Sequence, residues 1–237
     1  MRHIAYVGMS SLAIALSLAG CAATGGSRTS AVTTAEIQRG MTPDGVLADL
    51  RAGNERFVSS RSTSYDWLAQ AERTAGGQYP KAIILSCLDS RVPVEVVFDQ
   101  GIGDIFVGRV AGNIEDVDQL GSMQFGTKVA GARLIVVLGH TECGAVKGAI
   151  DRAELGNLTA LLESIDAAIA TVPTGGLGRT SKDGAYVDRA VEANVRHTVR
   201  DILAQSTVLS DLVAAGDLRV VGAAYDLRSG RVRWLDA

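Results

Sequence analysis

The chain has 237 residues, 47% of them hydrophobic and 21% charged, which is enough for one α/β domain with a sizeable core. A net charge of −3 offers no basic footprint for nucleic acid, and no internal repeat, charge run or low-complexity tract interrupts the chain.

The N-terminus differs from the rest. Arg2 is the one firm charge before Arg28, and Ile4 to Gly20 is uncharged and mostly apolar. Such a run is too short for a lasting membrane span and reads as a signal peptide over residues 1–20. It ends in LAGC, residues 18–21, which resembles the lipobox of bacterial lipoproteins. In such signals cleavage precedes the cysteine, whose thiol then carries diacylglycerol, so Cys21 is the candidate lipidation site. Acyl chains there would anchor the protein to a membrane. The alternative is an ordinary secretory signal that happens to contain a cysteine. Ala22 resembles outer-membrane sorting, so the expected location is the outer membrane facing the periplasm. Residues 21–40 read as a flexible polar tether ahead of a domain over 41–237.

Thr42 and Pro43 suit the start of a helix over 41–60, with Val46, Leu50 and Phe57 roughly on one face. KAIILS (81–86) and DIFVGRV (104–110) read as strands, and 117–131 as a helix interrupted by glycines. ARLIVVLG (132–139), β-branched and apolar on both faces, predicts a buried strand of a parallel sheet. Helices are expected over 157–171 and 186–206, separated by the loop PTGGLGRTSKDG, and two strands close the chain around LRSG. Strands alternating with helices predict a single α/β domain with a central, mostly parallel β-sheet flanked by helices.

Two motifs follow the carboxyl ends of predicted strands, where open parallel sheets place their sites. CLDSR (87–91) follows one strand and HTEC (140–143) another. His140 and Cys143, three apart, can face one ion from a strand-to-helix turn, and Gly139 and Gly144 would let the backbone approach closely. Cys87 adds a third ligand. Two thiolates and an imidazole favour zinc over magnesium or calcium, and three protein ligands leave the open fourth position of a catalytic site. Water there would ionise near neutral pH, or Asp89 could take the position, with Arg91 holding the carboxylate off the metal in a bidentate pair. In an oxidising compartment a Cys87–Cys143 disulfide is the bland alternative. His197, in NVRHTVR, reads as a helix-surface residue, and His3 lies in the signal.

The sequence is similar to the β-class carbonic anhydrases from about Gly40 onward, through AGNERF (52–57), CLDSR (87–91), GDIFVGRVAGN (103–113), LGHTECGAV (138–146) and AAYDLRSG (223–230), in the family order. The resemblance implies reversible hydration of carbon dioxide to bicarbonate and a proton. It implies one zinc per chain on Cys87, His140 and Cys143, with Asp89 and Arg91 as the catalytic dyad. It also implies a homodimer or higher oligomer, in which Gln78 and Phe106 serve a neighbour's zinc. Gln78 matches a bicarbonate hydrogen-bond donor and Phe106 a pocket aromatic, while Phe125 replaces the family's pocket tyrosine. A regulatory subset binds inhibitory bicarbonate on a Trp–Arg–Tyr site. Here the tryptophan position is Ile84, although Arg109 and Tyr225 match the other two, so the inhibitory site is expected to be absent. Two other readings are a carbonyl sulfide or carbon disulfide hydrolase on the same fold, and a non-catalytic zinc- or anion-binding lipoprotein.

Overall fold

Every residue of Leu134–His140 is buried, and this run is the central strand of a five-stranded sheet. The computed structural model describes residues 28–174 and 178–235, so Cys21, its lipobox and the signal over 1–20 lie outside the described residues. The strands are β1 (Ala82–Ser86), β2 (Ile105–Arg109), β3 (Leu134–His140), β4 (Arg219–Tyr225) and β5 (Val232–Leu235), in the order β2-β1-β3-β4-β5. Pairings from β2 to β4 are parallel, and β5 is antiparallel to β4.

Period-2 alternation sends each strand's side chains to two cores. Ile84, Val136 and Leu138 pack on one face with Leu50 and Phe98, whereas Ile83, Leu85, Ile135 and Val137 pack on the other with Val195 and Ile202. The helices are α1 (Ala35–Arg39), α2 (Pro43–Val58), α3 (Trp67–Thr74), α4 (Val94–Val97), α5 (Val117–Gln124), α6 (Gly144–Ile150), α7 (Asn157–Ala170), α8 (Gly184–Gln205) and α9 (Thr207–Ala214). Helix α2 starts as its sequence dictates: the Thr42 hydroxyl accepts from the Gly45 N–H at 3.1 Å and Pro43 occupies the first turn. Helix α8 is capped by Asp183, and its Val195 and Ile202 cover the opposite face of the sheet. A third core lies beyond the strand ends, where Cys87 and Cys143 sit among Ile114, Ile165, Tyr186 and Val187.

The expected α/β fold with a mostly parallel sheet is the one observed. Helix α3 escapes a periodicity reading because Gln70 is its buried residue while Trp67 and Leu68 face solvent. The tether expectation needs correcting over residues 28–40, which are part of the domain. The Thr29 backbone pairs with Ser64 and Asp66, and Thr33 Oγ1 donates to Asp104 at 2.6 Å. Buried Gln38 donates to the carbonyls of Pro80 and Ala130 at 2.7 and 2.8 Å. Side-chain bonds to distant carbonyls hold this stretch, and a polar composition does not reveal them.

Candidate metal centre and active site

Neighbouring strands β1 and β3 deliver the site. Cys87 is the first residue after β1 and His140 the last of β3; Ser86 pairs with Leu138, so both side chains emerge at the carboxyl edge. Arg109, at the end of β2, donates to the carbonyls of Cys87 and Asp89 and fixes the backbone of the first motif. The Gly112 N–H donates to Cys87 Sγ at 3.4 Å. Gly112 has φ +76°, and a Cβ there would lie 2.7 Å from Ile165 Cδ1, so glycine is required on both counts.

His140 is fully buried, and its Nδ1 bonds to the Thr141 carbonyl at 2.8 Å. A carbonyl only accepts, so Nδ1 carries the proton and Nε2 presents a lone pair. That Nε2 is buried without a hydrogen-bond partner. Between the two ligands Glu142 adopts φ +59°, and Cys143 stands at the N-cap of α6 without a side-chain capping hydrogen bond. The spacing from His140 to Cys143 therefore spans a tight turn rather than a helical first turn. Of the flanking glycines, Gly139 does permit close approach, since a Cβ there would meet Val195 at 2.6 Å, but nothing lies within 4 Å of one at Gly144.

The ligand atoms of Cys87, His140 and Cys143 lie within 4.8 Å of one another, all three residues buried. The sulfurs are 3.9 Å apart and both cysteines are free, so the disulfide alternative is not the one present. The Cys143 thiol, hydrogen-bonded to Cys87, lowers the latter to about 4 against the effect of burial. Facing that thiolate, and itself buried, Cys143 is pushed far up. One thiol of the pair is thus held down and the other up, and an ion bound to both sulfurs would displace the proton between them.

Asp89 faces this cluster, its Oδ2 3.8 Å from His140 Nε2. Arg91 grips the carboxylate as a fork, Nε to Oδ1 at 2.9 Å and Nη2 to Oδ2 at 2.7 Å, and its own N–H adds a third bond to Oδ1 at 2.9 Å. The guanidinium holds the Asp89 carboxyl far below the usual carboxylate range. The arrangement offers a soft three-ligand metal site and, beside it, an ionised acceptor whose orientation is fixed.

Other expected residues lie elsewhere. Gln78 is exposed in the loop before β1, at the opposite end of that strand from Cys87. Phe106 and Phe125, their ring centroids 6.4 Å apart, line a groove of about 730 Å³ between β2 and α5 that none of the three metal-ligand candidates borders. His197 pairs with Asp201 one turn along α8 at 3.2 Å. Ile84 is fully buried in the sheet's core, Arg109 is engaged as described, and Tyr225 is buried beside His140 on β4. Arg109 and Gly112 hold the first motif in place in addition to the residues expected there. The signal for both was GRVAGN, whose glycine and arginine sit where a strand leaves the sheet.

The whole arrangement has counterparts. A family model described as carbonic anhydrase matches residues 82–232. Carbonic anhydrase 2 of Mycobacterium tuberculosis (strain H37Rv) is 42% identical over 187 residues, covering 77% of this chain and 87% of the relative. The carbonic anhydrase of Mycolicibacterium smegmatis is 36% identical over 189 residues, covering 77% and 88%. Among solved structures, the β-carbonic anhydrase CafA of Aspergillus fumigatus superposes with a TM-score of 0.63 at 24% identity, covering 81% of this chain and 90% of that one. One of the tetrameric β-carbonic anhydrases of Sordaria macrospora gives 0.61 at 23%, covering 71% and 90%. These two structures share the fold. Because the family match runs from the first residue of β1 to the first of β5, and so encloses every residue of the metal cluster, the chain belongs to the carbonic anhydrases, in their β class.

Proposed function

We propose that the chain hydrates carbon dioxide reversibly to bicarbonate and a proton at one zinc ion held by Cys87, His140 and Cys143, with Asp89 and Arg91 as its catalytic dyad. The observation that carries this reading is the partnerless Nε2 of His140 beside two sulfurs and an Arg91-held carboxylate. Zinc is supported by the soft donor set and by the spacing. Two sulfurs at about 2.3 Å from one tetrahedral ion would be roughly 3.8 Å apart, against 3.9 Å here. Bound there, zinc supplies Lewis acidity that brings the pKa of water into the neutral range, the established behaviour of carbonic anhydrases in general.

The chain's own residues supply orientation. The Thr141 carbonyl fixes the His140 tautomer, and the Gly112 N–H fixes the Cys87 sulfur. Asp89, ionised across the physiological range, accepts a hydrogen bond from the attacking water and turns its lone pair toward the carbon of carbon dioxide. Arg91 holds that carboxylate in place, so that it would leave room for water on an ion held by Cys87, His140 and Cys143.

The pocket wall is completed by a second copy of the chain. Gln78, Phe106 and Phe125 are set apart from the metal ligands of their own chain, and Phe125 is half exposed in an apolar groove beside edge strand β2. Sedimentation should give a dimer or larger assembly; a fully active monomer would overturn this. Export and lipidation at Cys21, with anchorage in the outer membrane, rest on the LAGC stretch and Ala22. Among the described residues no helix is long and apolar enough to cross a membrane. Mass spectrometry of the mature N-terminus should find an acylated Cys21, lost in Cys21→Ser.

Stopped-flow hydration of carbon dioxide by metal-analysed protein tests the central reading. Fast turnover with one zinc per chain, reduced about 10²-fold or more in Asp89→Ala, is expected. Stoichiometric zinc without hydration between neutral and alkaline pH would refute it.

A further inference from the structure

We propose that Asn194, on α8, is a positioning residue for the metal centre, acting through Gly112 on the sulfur of Cys87. Asn194 is 1% exposed, and its Nδ2 donates to the Gly112 carbonyl at 2.7 Å, a buried bond between residues 82 apart in sequence. From the other side of the same residue, the Gly112 N–H reaches Cys87 Sγ. A glycine at φ +76° is held by no side chain of its own, so its orientation depends on what grips its peptides. Three contacts supply that grip: the Ile165 side chain of α7 where a Cβ would otherwise stand, the Asn113 N–H bond to the Val110 carbonyl at 3.0 Å on the following peptide, and the Asn194 amide on the carbonyl of that peptide.

The chemistry follows from the direction of these bonds. An N–H aimed at a thiolate draws charge from the sulfur, so the metal it binds stays more electrophilic. Releasing the carbonyl lets Gly112 turn, weakens the N–H···S contact and makes Cys87 a stronger donor to the ion. Groups bonded directly to a metal ligand, as Gly112 is to Cys87, typically change metal affinity or activity 10- to 100-fold when lost, and Asn194 acts through that group at the low end of the range. Asn194 uses its donor alone: its Oδ1 is buried with no hydrogen-bond partner. A close-sized apolar replacement therefore removes one interaction and strands no donor on the helix. It does strand the Gly112 carbonyl, and that is the intended perturbation.

The inference rests on Cys87 being a metal ligand, so wild type is measured first. Cobalt(II)-substituted wild type should show thiolate-to-cobalt charge transfer in the near ultraviolet, and its absence would sink both the metal reading and this one. Asn194→Leu, loaded in the same way, should show that band at changed energy. It should also give up metal to a competing chelator about ten-fold less readily, as a stronger Cys87 donor requires, with the zinc enzyme's kcat/KM midpoint moved to higher pH. Ile202→Val, a buried α8 change away from the site, should lower thermal stability and leave all three readouts in place. A folded Asn194→Leu with the wild-type band, chelator competition and pH midpoint would make Asn194 a core residue and no more. Should that variant fail to fold, labelled wild type decides. Asn194 side-chain amide protons that exchange as slowly as backbone amides of β3 support the clamp, and fast exchange overturns it.

Discussion

Replacing Gly112 with alanine should separate two demands that this position makes at once. A non-glycine residue at φ +76° pays a left-handed penalty of about 1–2 kcal/mol. The new Cβ would also stand 2.7 Å from Ile165 Cδ1, against an ordinary carbon–carbon contact of roughly 3.5–4.0 Å. Because Ile165 is fully buried, relieving that overlap means overpacking, which costs about 1–3 kcal/mol. Gly112→Ala should therefore lose about 2–5 kcal/mol, or roughly 5–15 °C in Tm for a domain of this size. Ile165→Val alone removes the offending methyl for about 0.5–1.5 kcal/mol. In the double variant the overlap disappears and the backbone penalty stays, so the combined loss should fall short of the sum by about 1–3 kcal/mol. Thermal unfolding of the zinc-loaded proteins at one fixed scan rate, read as a double-mutant cycle, measures both parts. Strictly additive losses, or a Gly112→Ala within about 0.5 kcal/mol of wild type, would refute the account of Gly112 as a junction between α7 and the site.

Arg91→Gln should act through pH. Asp89 has a folded-state pKa depressed by Arg91, so its contribution is present above the unfolded carboxyl value of about 3.9 and lost as pH falls toward the folded one. The Tm gap between wild type and Arg91→Gln should consequently stay constant from pH 6 to about 4 and narrow below that, and a gap undiminished at pH 3 would show that the pair is not linked to protons. Bicarbonate should not inhibit cooperatively at moderately acid pH, because Ile84 is packed inside the sheet where an inhibitory site would need an indole; sigmoidal inhibition in initial-rate assays would contradict this. Removing the metal with a chelator should abolish hydration, release two thiols per described domain to a thiol reagent under nitrogen, and be reversed by zinc. Recovery with other divalent ions but not zinc would argue against the soft-donor reading.

Much of the fold was legible because its signals are local. The apolar run ending at His140 and the strand leading to Cys87 announce themselves, and both motifs fall at carboxyl ends where a parallel sheet gathers its sites. Side-chain identity, spacing and that placement together suggested the ligand set, since two cysteines and a histidine share a preference for soft ions. What stayed hidden depends on partners far away in the chain. Gln38 looked like tether until its bonds to Pro80 and Ala130 placed it in the domain. Gly144 looked like Gly139, and only the packing of Val195 distinguishes them. Asn194 is one more polar residue on a long helix until its amide is seen on Gly112. Gln78, Phe106 and Phe125 drew their roles from family resemblance, and one chain by itself does not bring them to the metal ligands.

The pairing of β1 with β3 also sets an order of events for a chain that is still folding. His140 and Cys143 come from one short turn and can meet an ion as soon as it forms, but two ligands hold an ion loosely. Cys87 arrives only when β1 docks alongside β3, a contact between segments more than fifty residues apart, with the loop-closure entropy that implies. Tight capture of the ion therefore reports that the centre of the sheet has closed. In a chain exported unfolded, that moment would come after crossing the membrane, so the metal would be acquired outside the compartment where the chain was made.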